Sequence, residues 1–378
     1  MGVYWNSRVR NLKPYIPGEQ PKGRRFIKLN TNENPYPPPD AVLEAIAQAA
    51  GRLRLYPDPA SAALREALAG RFAVRPENVF VGNGSDEVLA FCFGAFFPSG
   101  TAAPLPVLFP DISYSFYPVF AGLWGAPYRQ APLRGDFSLK TADYDEPNSG
   151  IVFPNPNAPT GMALSAADVV QAARFQAGRK RLLVVDEAYI AFGGESVVPF
   201  TAEYDNLLVT QTFSKAASLA GLRVGYAIGN AHLIQGLERM RDSFNSYPVD
   251  TLAAAAATAA VQAADYYAMI NSRIVQTRER VAAALRTKGW LVLPSQANFI
   301  FASPPPAQTG AAGASGADGA LGADGATGDA RPYYEALREK GILVRHFAAP
   351  RTKAFLRISI GTDEDMDIFL AACEDSAL

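Results

Sequence analysis

Lys215 ends the run Val209-Thr210-Gln211-Thr212-Phe213-Ser214-Lys215, directly after a short apolar segment with the composition of a buried strand. A lysine so placed can condense with an aldehyde. Asp186 ends a second apolar run, Leu182-Leu183-Val184-Val185, 29 residues upstream, and Arg223 lies eight residues downstream of the lysine. A lysine to hold an aldehyde, a carboxylate to face a protonated pyridine nitrogen and an arginine to hold a phosphate are the three polar requirements of pyridoxal phosphate. Asp186 taken alone also reads as a helix cap or loop carboxylate.

Other segments fit the same ligand. Val81-Gly82-Asn83-Gly84-Ser85-Asp86-Glu87 follows a strand and opens a helix, so free backbone N–H groups and the Ser85 hydroxyl can cradle a phosphate. It lacks the spacing of a dinucleotide fingerprint and the lysine of a P-loop. Simple capping by Ser85, with Asp86 and Glu87 complementing the helix dipole, explains the same residues. The loop Phe153-Pro154-Asn155-Pro156-Asn157-Ala158-Pro159-Thr160-Gly161 carries three prolines, which stiffen it and suit an amide aimed at a ligand. Tyr114 can stack on a planar ring or pack in a core.

These residues need a scaffold that places strand ends side by side. From about residue 79 to 230, apolar runs of strand length alternate with helical patterns, as in a mostly parallel sheet covered by helices on both faces. Val79–Val81, Gly150–Phe153, Leu182–Val185, Leu207–Thr210 and Val224–Ile228 are the expected strands. Positions 235–287 read as helical with a break at Pro248, and could bridge to a second domain. Leu291–Phe301 returns to strand-like alternation, Tyr333–Lys340 reads as helix, and Ile342–Val344 and Phe355–Ile360 as strands of one small sheet. Between them, 304–331 turns abruptly to Ala, Gly, Pro, Ser and Asp, the composition of an inserted flexible loop.

Composition narrows the function. A chain of 378 residues with 49% hydrophobic content can bury a large core, and 35 basic against 36 acidic residues give no global field for nucleic acid. Two cysteines, Cys92 and Cys373, and two histidines, His232 and His346, argue against a disulfide framework, a metal cluster or a serine hydrolase. The first 20 residues have no apolar core, and the most apolar stretch, Phe91–Pro110, is broken by Pro98, Pro104 and Pro106. A cytoplasmic protein with no signal peptide and no membrane span is expected.

In order and spacing, the chain resembles the fold-type I pyridoxal phosphate-dependent aminotransferases. The resemblance runs through Leu29-Asn30-Thr31-Asn32-Glu33-Asn34-Pro35, Gly82–Glu87, Asn155–Gly161, Asp186–Tyr189, Thr212–Lys215, Ala220-Gly221-Leu222-Arg223, Ser243-Phe244-Asn245-Ser246-Tyr247-Pro248 and Leu356–Thr362. It implies an α/β fold: a large domain on a mostly parallel seven-stranded sheet and a smaller α/β C-terminal domain. The expected division is an arm at 1–35, the large domain at 36–260 and the small one at 261–378.

Carried over by position, the resemblance implies that Lys215 bonds the cofactor and moves the proton, while Asp186 pairs with the pyridinium. Tyr189 and an asparagine would hold the phenolic oxygen, and Tyr114 would stack on the ring. Ser85, Asp86, Thr212, Ser214 and Arg223 would surround the phosphate, joined by Tyr56 from a partner subunit in a homodimer with shared sites. Arg357 would grip the substrate's anionic group, with Arg345 and Asn34 nearby. Family members usually have asparagine directly before Pro-Thr-Gly; here that residue is Ala158, so Asn157 is expected to serve.

The implied reaction is transamination between histidinol phosphate and 2-oxoglutarate. On the same scaffold, threonine-phosphate decarboxylation or aromatic amino-acid transamination remain alternatives. A non-catalytic pyridoxal phosphate-binding regulator would need a DNA-binding module, and neither the roughly 30 residues before the Leu29 motif nor the net charge of -1 leads us to expect one.

Overall fold

The computed structural model describes residues 3–16, 18–20, 26–100, 104–305, 326 and 328–374. Its first elements are α1 (Ser7–Asn11), β1 (Ile27–Lys28), α2 (Asp40–Ala50) and α3 (Ala62–Phe72). A central sheet follows, built from β2 (Val79–Gly82), β3 (Val107–Pro110), β4 (Tyr128–Ala131), β5 (Gly150–Pro154), β6 (Leu182–Asp186), β7 (Leu207–Thr212) and β8 (Gly225–Gly229). Between the strands run α4 (Gly84–Phe96), α5 (Tyr117–Trp124) and α6 (Ala166–Gly178).

The strand order is β2-β8-β7-β6-β5-β3-β4, and only β8 runs antiparallel to its neighbours. Strand side chains alternate between faces, so a sheet covered on both sides must be apolar at every position. Val79, Val81, Leu183, Val185, Leu207 and Val209 pack into one cluster with residues of α2, α3 and α6. Phe80, Val184, Leu208 and Ala227 enter another with residues of α4 and α5.

Five of these strands match the sequence expectation, whereas β3 and β4 were not expected. Prolines surround β3 on the chain, and β4 lies at the sheet edge with three of its four residues exposed, so neither carries a periodic apolar pattern.

The remaining chain forms α7 (Ala231–Phe244), α8 (Thr251–Gln262) and α9 (Ala264–Thr287), then β9 (Leu291–Val292), β10 (Phe299–Ser303), α10 (Arg331–Glu339), β11 (Ile342–Leu343), β12 (Arg345–His346), β13 (Leu356–Ser359) and α11 (Asp363–Glu374). The small antiparallel sheet has the order β12-β13-β10-β9. Contrary to expectation, Ile342–Leu343 does not join it but pairs in parallel with β1, which ties the start of the chain to its end. Ile274, Val281, Leu285, Ile300, Leu337, Ile358 and Phe369 form a separate core there. Most of the expected loop at 304–331, residues 306–325 and 327, lies outside the described residues, and α10 already begins at Arg331.

Among the described residues, no helix is long and apolar enough to cross a membrane.

Candidate active site

β5, β6 and β7 run in parallel to one edge of the sheet, Pro154 pairing with Asp186 and Asp186 with Thr210, two residues before β7 ends at Thr212. At that edge of an open α/β sheet the chain leaves the strands with unpaired backbone groups, and ligands bind there. One cavity opens at this edge, lined by Ser85, Asp86, Tyr114, Asp186, Tyr189, Thr212, Ser214, Lys215, Arg223, Arg345 and Arg357. Eleven side chains singled out in the sequence therefore meet in one place.

Lys215 donates from Nζ to the carbonyl of Thr31 at 3.0 Å. Burial, and then the positive charge of Arg357, lower its pKa to about 8, so about a tenth is neutral amine at pH 7, far more than for an ordinary lysine. Asp186 is only 4% exposed, and burial raises its pKa to about 6. Its carboxylate accepts from the Tyr117 hydroxyl at 3.1 Å and the Ala188 N–H at 3.2 Å. A desolvated carboxylate with acceptor capacity left over is poised for a cationic partner.

The anion cradle is built from close backbone approach. A Cβ at Gly225 would lie 2.2 Å from the Ser85 nitrogen, so β8 can pass the N-terminus of α4 only with glycine there. Gly84 adopts φ +83 and lies so close to the Arg223 guanidinium that a Cβ would meet Nη2 at 2.7 Å. Arg223 donates to Ser214 Oγ at 3.3 Å and to Asp86 Oδ2 at 2.8 Å. Asp86 also accepts from the Tyr114 hydroxyl. The Asp86 side chain is thus an acceptor, and only its N–H, in the first turn of α4, can face an anion.

At the other end of the cavity Arg357 donates to the Asn30 carbonyl at 2.8 Å and lies over the rings of Phe299 and Phe347. Its buried Nε has no protein partner. A desolvated guanidinium with an unused donor calls for a planar anion, and Arg345 lines the same space.

Three expected site residues stand elsewhere. Asn157 does not line the cavity; Ala158 does. The amide of Asn157 donates instead to the Ile112 carbonyl and Thr160 Oγ1, both at 3.0 Å. The rotation that would turn it inward is blocked, because Asn157 N–H bonds Met162 O and Gly161 N–H bonds Asn157 O, each at 2.7 Å. Asn34 donates to the backbone carbonyl of Lys215 at 3.2 Å and to Asn271 at 3.4 Å, so it supports the lysine's main chain and does not line the cavity. Tyr56, expected to act in a partner subunit's site, lies outside this chain's own cavity; it is 83% exposed and stacks on Tyr247 with centroids 4.8 Å apart.

Sequence reasoning missed Tyr117, Asn32 and the lining residues Tyr15, Gly18 and Gln20. Tyr117 opens α5 and Tyr114 lies in the loop before it, so no helical spacing linked the two. The arm residues lack such a signal as well.

The residues present fit pyridoxal phosphate: a lysine with a depressed pKa, a buried carboxylate, a tyrosine ring and a glycine-lined cradle with an arginine share one cavity. The model of the aminotransferase class I and II family matches residues 24–372. Histidinol-phosphate aminotransferase 1 of Bordetella parapertussis is 50% identical over 98% of both chains, and the like-named protein of Bradyrhizobium diazoefficiens 51% identical over 96% of both. A crystal structure of histidinol-phosphate aminotransferase from Sinorhizobium meliloti in complex with pyridoxal 5'-phosphate superposes with a TM-score of 0.83 at 25% identity, covering 100% of this chain and 98% of that one. Aspartate aminotransferase of Thermus thermophilus shares the fold, with a TM-score of 0.79 at 21% identity.

Proposed function

The chain belongs to the class I and II aminotransferases, and on that premise we propose that it transfers the amino group of histidinol phosphate to 2-oxoglutarate. The products are imidazole acetol phosphate and glutamate, and the reaction belongs to histidine biosynthesis. Pyridoxal phosphate, when bound, supplies an aldehyde carbon to bond the amine and a ring that withdraws electrons from the neighbouring Cα.

Lys215 would hold the cofactor at its aldehyde carbon and, once released as a neutral amine, would take and return the substrate Cα proton. Asp186, kept in place by Tyr117, would face the ring nitrogen and stabilise its proton. Tyr189 would donate to the phenolic oxygen and Tyr114 would stack on the ring. Ser85, the Asp86 N–H, Thr212, Ser214 and Arg223 would hold the phosphate, the helix N-terminus supplying N–H groups.

The observation that carries the substrate reading is the half-buried Arg357 guanidinium, with its buried, unpaired Nε and with Arg345 lining the same cavity. The planar fork of an arginine can grip a carboxylate or a phosphate monoester, so one pocket serves both half-reactions.

The arm at 1–35, the large domain at 36–260 and the small one at 261–378 form the working unit, a cytoplasmic homodimer. Leu53, Leu55, Tyr56 and Phe244 are each more than half exposed, an apolar surface suited to a second copy, with Tyr56 reaching the partner's phosphate site. Sedimentation should give a dimer; a fully active monomer would refute it.

Purified protein loaded with pyridoxal phosphate should form glutamate from histidinol phosphate and 2-oxoglutarate. Release of CO₂ from threonine phosphate, or preference for phenylpyruvate over imidazole acetol phosphate as acceptor, would replace the named reaction while leaving the cofactor site standing.

A further inference from the structure

Ser359, Asn32 and Tyr189 form a largely buried chain of hydrogen bonds whose direction is set by the serine proton. Ser359 Oγ accepts the Asn32 N–H at 2.8 Å, and among the described contacts the acceptor for its own proton is Asn32 Oδ1, also at 2.8 Å; a flipped amide would leave that proton unplaced. That fixes the amide: Nδ2, not Oδ1, faces Tyr189, and it donates to the tyrosine hydroxyl at 3.0 Å. The backbone of Asn32 is held as well. Its carbonyl accepts from Asn298 Nδ2 at 3.0 Å, and its φ of +57 is one that asparagine tolerates better than most residues.

A phenol has one proton. With its oxygen already accepting from Asn32, Tyr189 must direct that proton elsewhere, and the residue lines the cavity. The loop following β5 offers no amide there, since Ala158 lines the space and Asn157 is spent on Ile112 and Thr160. The charged groups around Tyr189 are Arg357, Asp186 and Asp86, with Lys215 Nζ 5.9 Å from its ring centroid.

We propose that Asn32, locked by Ser359, is a positioning residue that aims the Tyr189 proton at the phenolic oxygen of bound pyridoxal phosphate, offsetting the amide donor absent at Ala158. The inference rests on the cofactor reading above.

The test is a pH titration of the visible absorbance of the holoenzyme, because a donor to the phenolic oxygen favours its ionised form and lowers the midpoint. In Asn32→Asp the carboxylate accepts from Tyr189 and draws its proton away, so the midpoint should rise by about one pH unit. Ser359→Ala, which frees the amide without adding charge, should raise it by less, and Ala158→Asn should lower it. In a Tyr189→Phe background, Asn32→Asp should add little. An unchanged midpoint in soluble Asn32→Asp or Ser359→Ala holoenzyme, or full additivity with Tyr189→Phe, overturns the proposal. A wild-type protein without a visible band that borohydride fixes to Lys215 would instead overturn the cofactor reading.

Discussion

Tyr117 donates its hydroxyl to Asp186 across 3.1 Å, and both side chains are buried, 69 positions apart in sequence. The tyrosine keeps the carboxylate facing the cavity and offsets part of its desolvation. Asp186→Asn retains the shape and removes the charge, so the protein should keep its cofactor while kcat falls on the order of 100-fold. Tyr117→Phe should cost about tenfold. Cofactor absorbance and steady-state kinetics on the same samples separate binding from chemistry; near-normal turnover by Asp186→Asn would reduce that residue to a cap.

Lys215 is the lysine whose amine lines the cavity. Borohydride reduction of the holoenzyme should leave one pyridoxyl group, on the peptide carrying Lys215, and Lys215→Ala should bind cofactor without turnover. Peptide mapping that places the label on another lysine would displace the whole site.

The pH dependence of cofactor capture follows from the lysine's environment. Burial and the positive charge of Arg357 disfavour the ammonium form and bring the pKa down to about 8. Only the neutral amine attacks an aldehyde, so the rate at which apoprotein captures pyridoxal phosphate should rise with pH and level off above about 8. Removing the neighbouring cation in Arg357→Gln should move that midpoint upward. Rapid-mixing absorbance measurements check both; a downward shift would contradict the assigned cause.

Arg357→Lys keeps a positive charge and loses the planar fork. It should weaken kcat/KM for glutamate and for histidinol phosphate alike, by about 1.5–3 kcal/mol. An effect on one substrate alone, in parallel kinetics, would place the second anion on Arg345.

Gly225→Ala sets a methyl group where the Ser85 nitrogen stands, at 2.2 Å. The β8 strand and the start of α4 must separate, which should cost about 1–3 kcal/mol of stability and loosen the phosphate cradle. Thermal unfolding and cofactor retention on dialysis read the two effects; an unchanged Tm with full retention would show that the contact is easily relieved.

The strand-end positions of Lys215 and Asp186 were legible in the sequence because a sheet buried on both faces imposes continuous apolar runs, and a polar residue at the end of such a run stands out. Arg223 and the Gly82–Ser85 turn were legible for a related reason: glycine marks close backbone approach, which Gly84 and Gly225 show. The strand Val107–Pro110 and the edge strand Tyr128–Ala131 were not, since a strand bounded by prolines or half-covered leaves no periodic trace.

Which neighbour in a loop faces a cavity was decided by tertiary structure. Asn157 and Ala158 are adjacent, and chemistry alone favours the amide, yet the turn closed by Met162 and Gly161 spends that amide on Ile112 and points the alanine inward. Partners distant in sequence follow the same rule: Asn32 meets Ser359 across 327 positions and Tyr189 across 157, distances over which local pattern carries no information. Sequence determined the fold class and the chemistry of the site, because periodicity and residue type act locally. The direction of each donor was set by the folded chain, because a hydrogen bond is directional and its geometry is fixed only when every packed element is in place.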